Sequence, residues 1–384
     1  MLPYTYITRQ HQLDLALPFM KESSRIAVDT ESSGFYTYFP ELCLIQISCD
    51  KSHFIIDVLG GLDLTGLAKI FEDSSITKIF HAASSDILEM HRDYKWKFNN
   101  IFDTYIACRM LSMEGCSLAQ LVKTYAGVEL EKKEQKSNWK KRPLTRSQLD
   151  YAHLDTAYLE LIMDKMSEEL KGKGLYEEIL EEFDFLCKTE IDDNVEKSIN
   201  PDAWMKIPGA CTLSPQQRGV LKSLVVFREQ KARQMNIAPF RIVSNHILMN
   251  IAKNRPDAAK LQRFSGSNSD FLITESDMII KLINESEEIR ECDSRKTGDF
   301  RPEIEEIFKK LKKWRQGVAE KRGIESSVIL SNRVLKKIAE IKPENLDQLR
   351  ELNLMTEWKI NNYGTNLIDI IFGKMTDQNA ASSF

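Results

Sequence analysis

Residues 25–34 read R-I-A-V-D-T-E-S-S-G. Ile26, Ala27 and Val28 begin a β-rich run suited to burial, and the run ends in two carboxylates, Asp29 and Glu31, with one residue between them. In a strand, residues i and i+2 project from the same face. Both acids therefore converge, and Thr30 points away. Like charges that close repel unless a proton or a cation sits between them. Hard divalent cations such as Mg²⁺ take oxygen ligands and fit such a pair. On its own, D-x-E also reads as a solvated strand end.

Further β-rich runs lie at 42–49, 53–58 and 76–80, and helical periodicity appears at 62–72, 85–94, 104–113 and 147–170. Three strands close together, then helices alternating with strands, predict an α/β domain with a mixed sheet. The segment H-A-A-S-S-D (81–86) follows the run at 76–80. Asp86 thus falls where a strand gives way to a helix, the usual location of α/β sites, although a first-turn acid also suits the helix dipole. In Y-A-H-L-D (151–155), Tyr151 and Asp155 stand at i and i+4 and share one helix face. His153 projects to a roughly opposite side and reads as an ordinary surface or packing histidine.

Beyond residue 200 the strand signals fade and an internal repeat appears. Residues 227–256 align with 314–343 at an offset of 87, with ten identities in thirty, including Arg228/Arg315, Ser244/Ser331, Asn245/Asn332 and Pro256/Pro343. Each copy reads as helix, short loop, helix, with the serines as N-caps and the prolines beyond the helix ends. Two small helical domains are expected at 210–292 and 303–380, after a first domain over 1–200. The polar stretch S-R-K-T-G-D-F-R-P (294–302) would link them.

Composition sets outer limits. The chain has 384 residues, 42% hydrophobic and 29% charged, as in an ordinary globular protein of two or three domains. No apolar run is long enough to span a bilayer, and the first twenty residues lack a signal-peptide pattern. The seven cysteines form no CxxC pair and no zinc spacing, so reduced, buried thiols in a cytosolic protein are expected. The net charge of −4 divides into −10 over residues 1–200 and +6 over 201–384, which hints at nucleic-acid contact by the second half.

D-x-E on a first strand, Asp86 after a later strand and Y-x-x-x-D on a late helix together resemble the DEDD superfamily of 3′–5′ exonucleases, in its tyrosine-bearing subclass. The histidine-bearing subclass would have His where Asp150 stands. T-Y-F-P-E-L-C-L-I-Q-I-S (37–48), S-I-T-K-I-F-H-A-A-S-S-D-I (75–87) and P-L-T-R-S-Q-L-D-Y-A-H-L-D-T-A-Y-L (143–159) resemble the ribonuclease D family, and the repeats resemble HRDC (helicase and RNase D C-terminal) domains. The resemblance implies a ribonuclease H-like α/β exonuclease domain with a mixed sheet, followed by two all-α HRDC-like domains. It implies a 3′–5′ exoribonuclease that releases nucleoside 5′-monophosphates with two divalent metal ions, Mg²⁺ or Mn²⁺, and acts in tRNA 3′ maturation.

The resemblance also implies roles. Asp29, Glu31 and Asp155 would hold the first metal; Asp29 would bridge to a second, supported by Asp86 through water. Tyr151 would orient the attacking water, because a phenol titrating near 10 is a poor base at neutral pH. Glu31 would also accept a hydrogen bond from the terminal 3′-hydroxyl. Thr30 and His81 sit beside the acids as substrate-contact candidates, His81 as a hydrogen-bonding rather than a catalytic group. The run Lys132, Lys133, Lys136, Lys140, Lys141 and Arg142, interleaved with Trp139, offers a local basic segment, with Lys132, Lys136 and Trp139 as substrate-binding candidates. RNA, as tRNA precursors with 3′ extensions, is the expected partner, with no membrane contact, for a cytoplasmic monomer. A 3′–5′ DNA exonuclease and a non-catalytic nucleic-acid-binding module are the competing readings. If the chain is an enzyme, removing residues 201–384 should leave hydrolysis of short oligonucleotides.

Overall fold

The computed structural model describes residues 3–131, 133–188, 199–261, 269–291 and 302–374. The expected linker at 294–302 falls almost wholly outside them. The chain forms two compact units that do not follow chain order: residues 1–31, 42–191 and 301–384 make one, and 32–41 with 192–300 make the other.

The first unit is built on a six-stranded sheet: β1 (Thr5–Ile7), β2 (Arg25–Ser32), β3 (Leu42–Cys49), β4 (Ser52–Asp57), β5 (Thr77–Phe80) and β6 (Ile101–Asp103), in the order β1-β4-β3-β2-β5-β6. β1 pairs with β4, β2 with β5 and β5 with β6 in parallel, whereas β3 and β4 are antiparallel, so the sheet is mixed as expected. β1 and β6 have three residues each, too few to show a periodicity, and the sequence did not reveal them. Both faces of β3 are buried, which fits its near-continuous apolar run.

Around the sheet lie α1 (Gln10–Glu22), α2 (Thr65–Glu72), α3 (Ser84–Tyr94), α4 (Thr104–Met110), α5 (Leu118–Ala126), α6 (Arg146–Ala157), α7 (Leu159–Gly172) and α8 (Tyr176–Lys188). The single helix expected over 147–170 is two, α6 and α7, meeting at Tyr158. Near the break the Thr156 hydroxyl bonds back to the His153 carbonyl at 3.3 Å, competition of the kind that bends helices. α6 begins in a capping box, with Thr145 accepting from the Gln148 amide.

The second unit contains α9 (Pro215–Met235), α10 (Pro239–Ile242), α11 (Asn245–Asn254), α12 (Ala258–Leu261), α13 (Ser269–Thr274) and α14 (Ser276–Glu285). The second repeat, α15 (Pro302–Arg322), α16 (Ser326–Ile329), α17 (Asn332–Ile341), α18 (Leu346–Glu351) and α19 (Glu357–Ile371), belongs to the first unit. The repeat persists in detail. Ser244 caps α11 and Ser331 caps α17 through their side chains. Buried Arg228 and Arg315 each donate to a loop carbonyl, Val243 and Leu330, and to an asparagine, Asn245 and Asn332. These four positions recur because each arginine satisfies the same irregular turn.

The second repeat and the exonuclease part share one core. Leu159, Ile162, Met166 and Leu170 of α7 belong to the same apolar cluster as Leu311, Trp314 and Val318 of α15 and Leu367 of α19. Arg322 joins Glu178, which is 2% exposed, and the Tyr363 hydroxyl. Lys359 meets Glu182 at 3.0 Å.

The expectation of reduced thiols fails at Cys108 and Cys116, which form a disulfide with Cα atoms 5.7 Å apart, within bridging reach. Cys211 is also disulfide-bonded. Cys43, Cys49 and Cys187 are not in disulfides. The eight-residue separation matches no CxxC pattern, and only the turn after α4 brings the two sulfurs together. Among the described residues no helix is long and apolar enough to cross a membrane.

Candidate active site

β2 is central in the sheet, so its apolar start is buried while its end emerges with Asp29 and Glu31 half-buried. α6 packs across β3 and β4 and brings Tyr151 and Asp155 to the same place. Carboxylate oxygens of Asp29, Glu31 and Asp155 all lie within 4.8 Å of one another. They open into a cleft of about 330 Å³ whose walls include Thr30, His81, Ser117, Gln135 and Tyr151.

Asp86 approaches from α3 and is 9% exposed; the Thr30 hydroxyl donates to its carboxylate. Thr30 lines the cleft between Asp29 and Glu31, and its hydroxyl fastens the fourth acid to the strand. The turn into α3 is set by Asp103, whose side chain accepts from the amides of Ala82 (3.0 Å), Ala83 (2.9 Å) and Tyr105 (2.8 Å). Ala82 has φ +65°, an unfavourable conformation for a residue with a Cβ. Asp103 is a positioning residue that sequence reading missed. Its signal is an Asp at the start of α4, which looks like any helix N-cap.

The electrostatics are those of several acids buried close together. Burial, then Asp86, Asp155 and Glu31, raise the Asp29 carboxyl well above its ordinary range. Glu31 is raised by burial, then by Asp155 and Asp86. Burial pushes Asp86 up to about 7 against the Thr30 hydrogen bond, and Asp155 up to about 7 against one from Tyr151. Tyr151 is itself raised, first by burial and then by Asp155, Glu31 and Asp29, so its proton stays on. None of the described lining residues is Lys or Arg. All the donor atoms in the cluster are hard oxygens, and the set fits a divalent cation of the Mg²⁺ or Mn²⁺ type.

The substrate-contact candidates divide. His81 lines the cleft, but its Nδ1 meets the Thr104 hydroxyl at 2.9 Å and burial pushes it down to about 4, so it is neutral at pH 7. Trp139 is 2% exposed and cannot stack on a base as expected. It packs with Cys43, Leu44 and Ile55, and its ring lies 6.1 Å from that of Tyr151, which it backs. A tryptophan among lysines reads as a surface stacker, but the fold needs its bulk beneath α6. Arg142 does not reach outward either: it is ion-paired with Asp57 at 2.5 and 2.7 Å. Lys136 is exposed on the turn that supplies Gln135 to the cleft, and is not among the lining residues. Lys132 lies outside the described residues. His153 is buried against Tyr4 and His53, a packing residue.

Residues 4–171 match a family model described as 3′-5′ exonuclease, and residues 217–283 and 304–371 match the HRDC domain. A ribonuclease D of Zymomonas mobilis is 31% identical over 91% of this chain and 89% of its own length. The chain belongs to the ribonuclease D family. A ribonuclease D of Bartonella henselae is 28% identical over 96% of this chain and 90% of its own. The crystal structure of Escherichia coli RNase D, described as an exoribonuclease involved in structured RNA processing, superposes with a TM-score of 0.63 at 25% identity. It covers 97% of this chain and 100% of its own. As a member of the ribonuclease D family, the chain is a metal-dependent 3′–5′ exoribonuclease, with an acidic cluster suited to divalent metal.

Proposed function

We propose that the cleft receives the 3′ end of an RNA chain and that Asp29, Glu31, Asp86, Tyr151 and Asp155 are its catalytic residues. The supporting observation is the convergence of three carboxylates from two distant segments in a cleft without a described Lys or Arg. Asp29, Glu31 and Asp155 would hold one divalent ion; Asp29 would share a second, with Asp86 behind it through water. When bound, such ions activate water and neutralise charge on the reacting phosphate. Tyr151, fixed by Asp155 on one side and Trp139 behind, orients the attacking water through its hydroxyl. Glu31 accepts the terminal 3′-hydroxyl and so selects a free 3′ end. His81, neutral and tethered, shapes the wall. Lys132 and Lys136 contact backbone phosphates.

The proposed substrates are tRNA precursors with 3′ trailers, the metal Mg²⁺ or Mn²⁺, and the working form a cytoplasmic monomer. The proposed division is an exonuclease domain over 1–200 and HRDC-like domains over 210–292 and 303–380. The experiment uses a 5′-labelled precursor tRNA with a 3′ trailer and a DNA strand of equal length, with Mg²⁺, and the Asp29→Asn protein as control. A ladder shortening from the 3′ end of the RNA, absent with Asp29→Asn, is the expected result. A ladder mainly on DNA overturns the substrate, and binding without any ladder overturns the catalytic reading.

A further inference from the structure

The second unit carries an aromatic and cationic surface that the catalytic site does not use. Residues 32–41, which leave the strand bearing Asp29 and Glu31, form a strap bound to the α9–α10 region. Its backbone is tied down at three points. The Ala238 amide donates to the Tyr36 carbonyl at 3.0 Å, Arg241 Nε to the Phe35 carbonyl at 2.8 Å, and the Phe39 amide to Asn236 Oδ1 at 2.9 Å. Tyr38 is buried in the core of the unit with Trp204 and Leu221. The strap is thus anchored, yet Phe39 is 44% and Phe240 is 45% exposed. Exposed rings on the strap and on the helix it is bonded to mark an interaction surface.

Arginines stand over these rings. The Arg241 guanidinium lies 3.5 Å from the centroid of Tyr36 and 5.9 Å from that of Phe240, and Arg233 lies 5.9 Å from Phe39. Phe240 packs against Phe35 at 5.0 Å. Aromatic faces give purchase to bases of any sequence, and guanidinium groups give purchase to phosphates and also stack. The combination fits a flexible polyanion with flat apolar groups.

We infer that the strap and α10, through Phe39 and Phe240 with Arg233 and Arg241, form a base-stacking platform for single-stranded RNA. The inference rests on the reading of this chain as an RNA 3′-end nuclease. The platform would hold unpaired nucleotides of single-stranded RNA through stacking and phosphate contacts.

The test is fluorescence anisotropy of the full chain in EDTA, with a labelled 12-nucleotide oligoadenylate and an abasic phosphodiester strand of equal length and charge. The double variant Phe39→Ser, Phe240→Ser should bind oligoadenylate about tenfold or more weakly, with little change on the abasic strand. Equal loss on both strands, or no loss, overturns the platform; no loss would leave the exposed rings to a protein partner. In a second variant, Phe240→Trp, oligoadenylate should quench the new indole and the abasic strand should not; an unquenched indole overturns the proposal. Metal-dependent degradation by the unaltered protein is read on the same oligoadenylate. Degradation with no stacking signal removes only the platform, whereas no degradation removes the nuclease reading.

Discussion

The Thr30 hydroxyl donates to the carboxylate of Asp86. This bond joins the β2 strand to the first turn of α3, so the acid outside the cleft lining is held by the residue between Asp29 and Glu31. Thr30→Val keeps the shape and removes the donor. Asp86, already pushed up to about 7 by burial, should titrate higher still. Its charged form is the one that supports a cation. The acid limb of the pH–kcat/KM profile should therefore move to higher pH in the variant, with more Mg²⁺ needed for half-maximal activity. An unmoved limb and an unchanged metal requirement would show that the bond is only structural.

Metal-free protein should lose stability as pH rises. Asp86 and Asp155 titrate near about 7 in the fold, against roughly 4 in an unfolded chain. A raised folded-state value means that this contribution is intact below the unfolded value and is lost as pH climbs through the folded one. The melting temperature in EDTA should therefore carry a decreasing component between about pH 4 and pH 7, and Mg²⁺ at pH 7.5 should restore it. Calorimetry of the Asp155→Asn protein should show both effects reduced.

Tyr151→Phe retains the ring against Trp139 and deletes the hydroxyl bound to Asp155. Loss of water orientation should lower kcat by roughly 100-fold, with a smaller effect on KM and an unchanged far-UV spectrum. A variant within twofold of the unaltered enzyme would remove Tyr151 from the mechanism.

Removing residues 302–384 should unfold the exonuclease part rather than leave a minimal enzyme. α7 and α15 share one apolar cluster, and Glu178 at 2% exposure depends on Arg322 for its charge partner. The single change Arg322→Ala strands that carboxylate and should cost about 3–5 kcal/mol, measurable by urea denaturation. This revises the sequence-based expectation that the chain from 201 onward is dispensable for hydrolysing short oligonucleotides.

Much of this was legible in one dimension. The i, i+2 acids of β2 and the i, i+4 Tyr151–Asp155 pair are local periodicities, fixed by strand and helix geometry alone. The repeat and its serine caps were equally plain, because capping is a matter of neighbouring residues. What local pattern could not give was burial. Trp139 among lysines and Arg142 in a basic run both look solvated in sequence, yet one packs behind Tyr151 and the other pairs with Asp57. Cys108 and Cys116, eight residues apart, became a pair only through the turn between them.

The sequence by itself therefore determined the mixed α/β character, the two helical repeats, and the same-face placing of Asp29 with Glu31 and of Tyr151 with Asp155. Tertiary structure alone decided that Asp29, Glu31 and Asp155 meet within 4.8 Å, that Asp103 sets the turn placing Asp86, and that the second repeat shares a core with the exonuclease. The physical reason is range. Periodicity and capping act over a few residues and are written in the order of the chain. Desolvation and core sharing join residues more than a hundred positions apart, and they exist only once the chain has folded.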